Sequence, residues 1–309
     1  MTRIIFIFSF LALFLGSMTT ETVVHAGSPM NQNKDDGGHS SKKDKGDSPK
    51  GHLWEYKKTF NNFYSVQDDI KLGNQVMGEQ IKEFNEKGIG VDAPKNQELK
   101  ARIERIVKRI AAVSDKPDYP YEVHIFDRPD VVNAFCMPGG KIGVFTGLFD
   151  KEKGLVDINN NDQIAAVLAH EISHATLRHV TRRISTLQGI SIFGAIASAV
   201  VGVGAGTDLQ DSFNRVFSFG VNLYIPSYSR KYEGDADRTG FYYMSKAGFD
   251  PQAAIDIWKK AAAHGGPNAK KTDFFASHPS DASRAKALEH WLPDALLVKA
   301  GKAPPSNKK

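Results

Sequence analysis

The segment 170–174 reads His-Glu-Ile-Ser-His and carries the residue types of a hydrolytic metal site. On a helix, His170 and His174 lie one turn apart on the same face, so both imidazoles can approach a single Zn²⁺. Glu171 is adjacent and can take the proton of a water that the metal has acidified. By composition, such a motif arises by chance in about 1% of chains. A surface helix with two histidines is the alternative, and the small apolar residues at 165–169 count against it.

A hydrolytic zinc site has three protein ligands and one open position, so a third ligand is required. The segment 229–237, Ser-Arg-Lys-Tyr-Glu-Gly-Asp-Ala-Asp, supplies Glu233 as the candidate. Asp237 follows one helical turn later and can accept a hydrogen bond from the distal ring nitrogen of a zinc-binding histidine. The alternative is that these acidic residues only complement the positive end of a helix dipole.

The elements that must position these residues are mostly helices. Alternation predicts a strand at 121–126, and Pro138-Gly139-Gly140 predicts a turn between strands at 134–137 and 141–148. Apolar spacing predicts helices at 65–87, 97–113, about 161–180 (capped by Asn161 or Asp162), 210–219, 229–247, 251–264 and 282–291. We therefore expect an α+β fold, mainly helical, with a small sheet and the His-Glu-Ile-Ser-His segment inside a helix.

Charge and cysteine content exclude several classes of protein. The net charge of +5 resides in the flanks, because residues 27–52 carry five Lys and four Asp and residues 299–309 carry four Lys and no acid. The intervening 53–298 is formally neutral, so we expect no nucleic-acid partner. The single cysteine, Cys136, excludes an intramolecular disulfide framework, and we interpret it as a small buried hydrophobe rather than a nucleophile.

The first residues indicate export. Arg3 precedes the apolar run 4–15, and small residues follow near Ala26, which is typical of a secretory signal peptide at 1–26. An uncleaved membrane anchor is the alternative. Residues 27–52 are almost free of apolar side chains and are expected to form a disordered linker. We expect a metallopeptidase domain at 53–298 and a basic flexible tail at 299–309.

Four motifs in order resemble those of the HtpX, BepA and Oma-type zinc metalloendopeptidases, gluzincins related to the CAAX prenyl protease. They are the His-Glu-Ile-Ser-His segment, the Glu-Gly-Asp-Ala-Asp of 233–237, the Asn-Ala-Phe…Pro-Gly-Gly of 133–140 with Thr-Gly-Leu after it, and the late His-Pro of 278–279 with Arg284. The resemblance covers about residues 65–290. It is that of a compact, exported, single-domain member, without the lipid-accepting Cys or the long membrane helices of some relatives.

The resemblance implies roles for individual residues. One Zn²⁺ per chain would be held by His170, His174 and Glu233, with Glu171 as catalytic base and Asp237 behind the ligands. His278 would either approach the open position of the metal in a latent state or contact the substrate. An exposed loop histidine is the remaining alternative at that position.

Other segments have several interpretations. The charge-free segment 184–207 is expected to be a helix-loop over the cleft, with membrane-surface contact and a membrane span as alternatives. A substrate peptide is expected to pair with an edge strand formed by Lys141, Ile142, Gly143 and Val144.

His124 and His179 are interpreted as structural histidines. Three tyrosines are expected to pack in the core or to include an oxyanion donor: Tyr224, Tyr228 and Tyr232.

The sequence therefore predicts a zinc endopeptidase exported to a bacterial periplasm, acting on unfolded or misfolded envelope proteins. A zinc-stabilised chaperone or adaptor that binds clients without cleavage is the competing hypothesis. Glu171 counts against it, because a purely structural zinc site needs no base beside its ligands.

Overall fold

A computed structural model describes residues 51–55, 62–186, 228–264, 274, 278 and 282–302, all within one compact unit that begins at Gly46. Several predicted segments lie outside the described residues: the signal peptide 1–26, nearly all of the linker 27–52, residues 187–207, the helix 210–219 and most of the tail 299–309.

The fold is α+β, as predicted. Its helices are α1 (Val66–Glu86), α2 (Gln97–Val113), α3 (Asn161–Thr176), α4 (Arg230–Lys246), α5 (Gln252–His264) and α6 (Ala282–Lys299), and its strands are β1 (Glu122–Phe126), β2 (Ala134–Met137) and β3 (Lys141–Phe145). A further helical stretch covers 179–186. Within the described residues, no helix has the length and apolar character needed to cross a membrane.

Three helix ends differ from the predictions, and one of them is the end of α3, which lies at Thr176 rather than about 180. The cap of α3 is Asn160, whose side chain accepts hydrogen bonds from the backbone N–H groups of Asp162 and Gln163, rather than Asn161 or Asp162. Helix α6 continues past 291 and through Pro293 to Lys299. Ala295 beyond the proline is fully buried, and this packing outweighs the backbone hydrogen bond that proline removes.

The sheet has the order β1-β3-β2, with β1 parallel and β2 antiparallel to β3. The prediction that Lys141, Ile142, Gly143 and Val144 form an edge strand is therefore wrong. The turn signal identified β2 as a partner, but the second partner, β1, comes from before the hairpin and leaves no local signal at 141–145. Strand β3 is the central strand of this sheet, and all five of its residues are buried.

Helix α3 lies in the middle of the molecule and contacts β2, α2, α4 and α5. Every residue from Ile164 to Thr176 is buried. The helix crosses α4 closely at Gly240, where a Cβ would lie 2.8 Å from the backbone nitrogen of His170. Polar side chains on α3 are therefore out of contact with bulk water and must find partners inside the protein.

Helix α1 is fastened to the segment that follows α3. Asp69 is 1% exposed and accepts hydrogen bonds from Tyr119 Oη at 2.9 Å and Thr181 Oγ1 at 2.8 Å. The Arg178 guanidinium also donates to Asp69, and to the carbonyls of Tyr64 and Ser65. Arg178 has a φ of 58°, a left-handed conformation that only Gly, Asn and Asp adopt readily. The residue that adopts this strained turn is therefore also the residue that forms the ion pair with Asp69.

Candidate metal centre

Helix α3 carries the first two metal-ligand candidates toward one point. His170 and His174 are 2% and 1% exposed, and their Nε2 atoms lie 3.1 Å apart. This short distance shows that the spacing of four residues places both rings on one face of the helix, as the sequence predicts. Two neutral imidazole nitrogens whose lone pairs face each other at this distance repel unless a proton or a cation lies between them.

Helix α4 brings Glu233 to the same point. Ser229 caps this helix by accepting a hydrogen bond from the backbone N–H of Tyr232, which places Glu233 in the first turn. Its carboxylate oxygens lie 3.4 Å from His170 Nε2 and 3.6 Å from His174 Nε2. Burial raises the pKa of Glu233, but the neighbouring imidazoles, His278 first, outweigh it and hold the pKa well below its usual range.

His278 is the fourth member of the cluster. It is 2% exposed, and its Nδ1 lies 3.1 Å from Glu233 Oε1 and 3.3 Å from His170 Nε2. Its Nε2 lies 3.3 Å from Glu171 Oε1. The alternative of an exposed loop histidine is therefore wrong.

The cluster fits a zinc ion. One ligand atom from each of His170, His174, Glu233 and His278 lies within 4.8 Å of all the others. Imidazole nitrogen and carboxylate oxygen are zinc ligands, and bonds of about 2.0–2.1 Å in a tetrahedron place ligand atoms about 3.3 Å apart. The separations that involve His170 or Glu233 run from 3.1 to 3.6 Å, close to that spacing.

Glu171 stands beside the cluster with its carboxyl buried. It is 2% exposed, and its Oε1 has no hydrogen-bond partner among the described residues. Burial raises the pKa of Glu171 to about 7. The imidazole of His278 lowers this pKa, the charge of Glu233 raises it, and the backbone N–H of Cys136 lowers it. A carboxyl with this pKa can both take and release a proton near neutral pH.

A second layer of side chains holds the ligands. Asp237 Oδ1 lies 2.9 Å from His170 Nδ1, and it accepts a hydrogen bond from Trp258 Nε1 at 2.8 Å. Arg284 donates to both oxygens of Asp237 at 2.7 Å, and its Nη1 lies 2.9 Å from Glu233 Oε2. Burial raises the pKa of Asp237, but Arg284 and His170 outweigh it and lower the pKa overall. The sequence indicated a role for Asp237, whereas Arg284 was only part of a resembling segment.

Residues 97–292 match the model of peptidase family M48. This match covers more than half of the chain and spans all four residues of the cluster. The chain belongs to peptidase family M48. Zinc is the metal of this family, and the cluster described above is able to bind it.

Curated relatives of this M48 chain are named as proteases. It is 33% identical over 236 residues to the mitochondrial metalloendopeptidase OMA1 of Schizosaccharomyces pombe, covering 76% of this chain and 64% of that protein. It is 26% identical to the beta-barrel assembly-enhancing protease of Escherichia coli, covering 57% of this chain and 35% of that protein. The M48 chain thus spans between about a third and two thirds of the length of these relatives.

His179 is a residue of this M48 chain whose position the sequence did not indicate. It is fully buried, and its Nδ1 lies 2.9 Å from Nδ1 of His174. Burial, with the Arg182 guanidinium, lowers the pKa of His179 well below its usual range. On a continuous helix this position points away from the metal face, but α3 ends at Thr176 and the left-handed turn at Arg178 redirects the chain. A left-handed arginine carries no sequence signal.

The remaining candidates fall into two groups. Tyr228 stacks on His174 with ring centroids 3.9 Å apart, and Tyr232 stacks on His179 at 4.4 Å, while Tyr224 lies outside the described residues. Away from the metal centre, His124 pairs with Asp92 and Glu122. Cys136 is buried, and burial raises the pKa of its thiol well above its usual range, which leaves it unreactive.

Proposed function

We propose that this M48 chain is a zinc-dependent endopeptidase in which His170, His174 and Glu233 hold the metal and Glu171 is the catalytic base. The observation that carries the proposal is the buried carboxyl of Glu171 beside four converging donor atoms. Zinc, when bound, polarises the scissile carbonyl and acidifies the attacking water. Glu171 takes the proton released in that attack and returns it to the leaving amine.

The surrounding residues fix the reacting groups in position. Arg284 orients both Glu233 and Asp237 and offsets part of their negative charge, and Asp237 lies behind the ring of His170. Because the second layer restricts ring rotation, the donor atoms stay converged while substrate enters and leaves. Bulk water is excluded from the sides that α3 and α4 cover, which strengthens each charge interaction within the cluster.

We propose that His278 completes the donor set in the resting protein and leaves it when substrate arrives. Its contacts with Glu233, His170 and Glu171 support this assignment. In this position the ring fills the site that substrate and water require, so the resting protein is latent.

We propose that the substrates are unfolded or misfolded exported proteins, met in a bacterial periplasm. The signal-like first residues support export, and a relative from Escherichia coli is named a beta-barrel assembly-enhancing protease. Among the described strands, β2 pairs on one side only, with β3, and the backbone N–H of Cys136 in β2 lies at Glu171. An extended peptide that pairs with β2 would pass beside the base, and main-chain pairing gives broad specificity.

A zinc-stabilised chaperone or adaptor is the second candidate function. The observation that favours it is the closed set of four donors, because structural zinc sites are closed and catalytic sites keep an open position. In that function the same cluster would bind zinc, and Glu171 would have no chemical task.

Two substitutions separate these functions. Glu171→Gln removes the base and no ligand, so we expect full zinc content and a loss of casein digestion of at least about 100-fold. Glu233→Ala removes the carboxylate donor of the four-residue cluster and leaves the charged Nη1 of Arg284 beside it, so we expect loss of both zinc and activity. Zinc is measured by atomic absorption, and Glu79→Gln on the exposed face of α1 is the control, expected to match the wild type in both assays. Casein digestion by Glu171→Gln at the wild-type rate would overturn the hydrolase assignment.

A further inference from the structure

His179 contacts His174 from the side opposite the metal cluster. The two Nδ1 atoms lie 2.9 Å apart, a normal hydrogen-bond distance, and both rings are buried. The Nε2 of His174 faces the other way, 3.1 Å from Nε2 of His170. His174 is therefore held between the donor cluster on one edge and His179 on the other.

The direction of the hydrogen bond follows from the chemistry of imidazole. A neutral histidine that offers the Nε2 lone pair to a metal carries its proton on Nδ1. His174 is then the donor and Nδ1 of His179 is the acceptor. This leaves the proton of His179 on its Nε2, which has no hydrogen-bond partner among the described residues.

The ring of His179 is fixed in the acceptor position by its surroundings. It stacks on Tyr232 with an interplanar angle of 8°, and the Arg182 guanidinium lies over the same tyrosine at 4.9 Å. The preceding residue, Arg178, adopts the left-handed turn and donates to Asp69 on α1. The backbone next to His179 is thus bonded to α1, whereas His174 lies on α3.

We propose that His179 is a positioning residue that orients His174 toward the metal through the Nδ1–Nδ1 hydrogen bond. This inference rests on the proposed zinc site. His170 has a carboxylate behind it, Asp237, whereas His174 has a neutral imidazole. The two histidine ligands therefore have partners of different charge behind them, a carboxylate at His170 and a neutral imidazole at His174. Substitutions of such outer partners in metal sites weaken metal affinity about 10- to 100-fold.

The test compares substitutions that keep either the ring or the acceptor. His179→Phe keeps the ring that stacks on Tyr232 and removes the acceptor, and we expect zinc affinity to fall about 10- to 100-fold. His179→Asn loses the ring but places Oδ1 where Nδ1 was, so we expect affinity within about threefold of the wild type. His179→Gln places its oxygen at the Nε2 position and should bind as weakly as the Phe variant. Affinity is measured by competition with a chromogenic chelator.

The outcomes separate positioning from packing. Wild-type affinity in the Phe variant, or equal weakening in the Asn and Gln variants, overturns the inference. If the Phe variant does not fold, as judged by thermal melting of the zinc-free protein, the comparison of Asn with Gln carries the same test. His124→Phe, a buried histidine far from the cluster, is the control and should bind zinc normally. Failure of the wild type to bind zinc would instead overturn the proposed function.

Discussion

Glu171 is an ionisable side chain in a place that bulk water does not reach. In the unfolded chain its carboxyl loses the proton near 4.5, and in the folded chain at about 7. Between those pH values the folded chain binds more protons than the unfolded chain, so the free energy of unfolding falls as pH rises. Above about pH 7 the ionised Glu171 carboxyl lowers the free energy of unfolding by its full amount, which is about 3 kcal/mol.

Glu171→Gln should remove that cost in the zinc-free protein. At about pH 8 we expect the variant to be more stable than the wild type, by up to about 3 kcal/mol, because it buries no charge at this position. Near pH 4 both side chains are neutral and the difference should vanish. Urea denaturation of the zinc-free proteins at the two pH values measures it. An equal difference at both pH values would show that the gain does not come from the carboxyl proton.

At the scale of the element, the crossing of α3 and α4 determines how far Glu233 lies from the two histidines. Gly240 permits this approach, since a Cβ there would lie 2.8 Å from the nitrogen of His170 and 2.9 Å from the carbonyl oxygen of Ala169. Both neighbours are helix backbone, which cannot yield in the way that a flexible side chain can.

Gly240→Ala should push α4 away from α3. We expect a loss of about 1–3 kcal/mol in the free energy of unfolding from overpacking, together with weaker zinc binding as Glu233 moves outward. The control is Gly234→Ala on the same helix, where a Cβ meets nothing within 4 Å. That variant should be slightly stabilised, by up to about 1 kcal/mol, because alanine favours helix. Urea denaturation and chelator competition measure the two effects. Unchanged zinc affinity in Gly240→Ala would show that this crossing does not set the ligand distance.

The sequence predicted the helices better than it predicted the sheet. Periodicity identified α1 and α2 almost to the residue, because each has one apolar face. It did not reveal that β1 pairs with β3, since a parallel partner leaves no local turn between the strands. Residues 170–174 indicated the metal chemistry by type and spacing. The position of His179 was not foreseeable, because it depends on a left-handed residue, Arg178, that pattern analysis does not identify.

At the scale of the molecule, the metal centre joins elements that are far apart in the chain. Helix α3 supplies the proposed base, Glu171, and two donors; α4 supplies Glu233, and His278 comes from the segment before α6. The backbone N–H of His278 donates to the carbonyl of Phe274 at 2.8 Å, and the N–H of Phe274 donates to the carbonyl of Val132 at 2.7 Å. His278 is therefore connected through Phe274 to the segment that leads into β2.

His278→Ala tests latency in the whole protein. If the ring closes the site at rest, we expect the variant to keep its zinc, because three ligands remain, and to digest casein faster than the wild type by about tenfold. Initial rates and zinc content are measured together. His290→Ala on the exposed face of α6 is the control and should leave both unchanged. Slower digestion with retained zinc would indicate that His278 contacts the substrate instead.

The order in which the donor residues leave the ribosome determines when the metal site can form. His170 and His278 are 108 residues apart, and Glu233 precedes His278 by 45. A growing chain that has made α3 therefore carries two histidines and a glutamate but no complete site. We expect it to have no tight hold on zinc and no hydrolytic activity until α4 packs against α3. On the proposed function, a growing chain that has not yet made α4 would therefore be unable to cleave unfolded proteins around it.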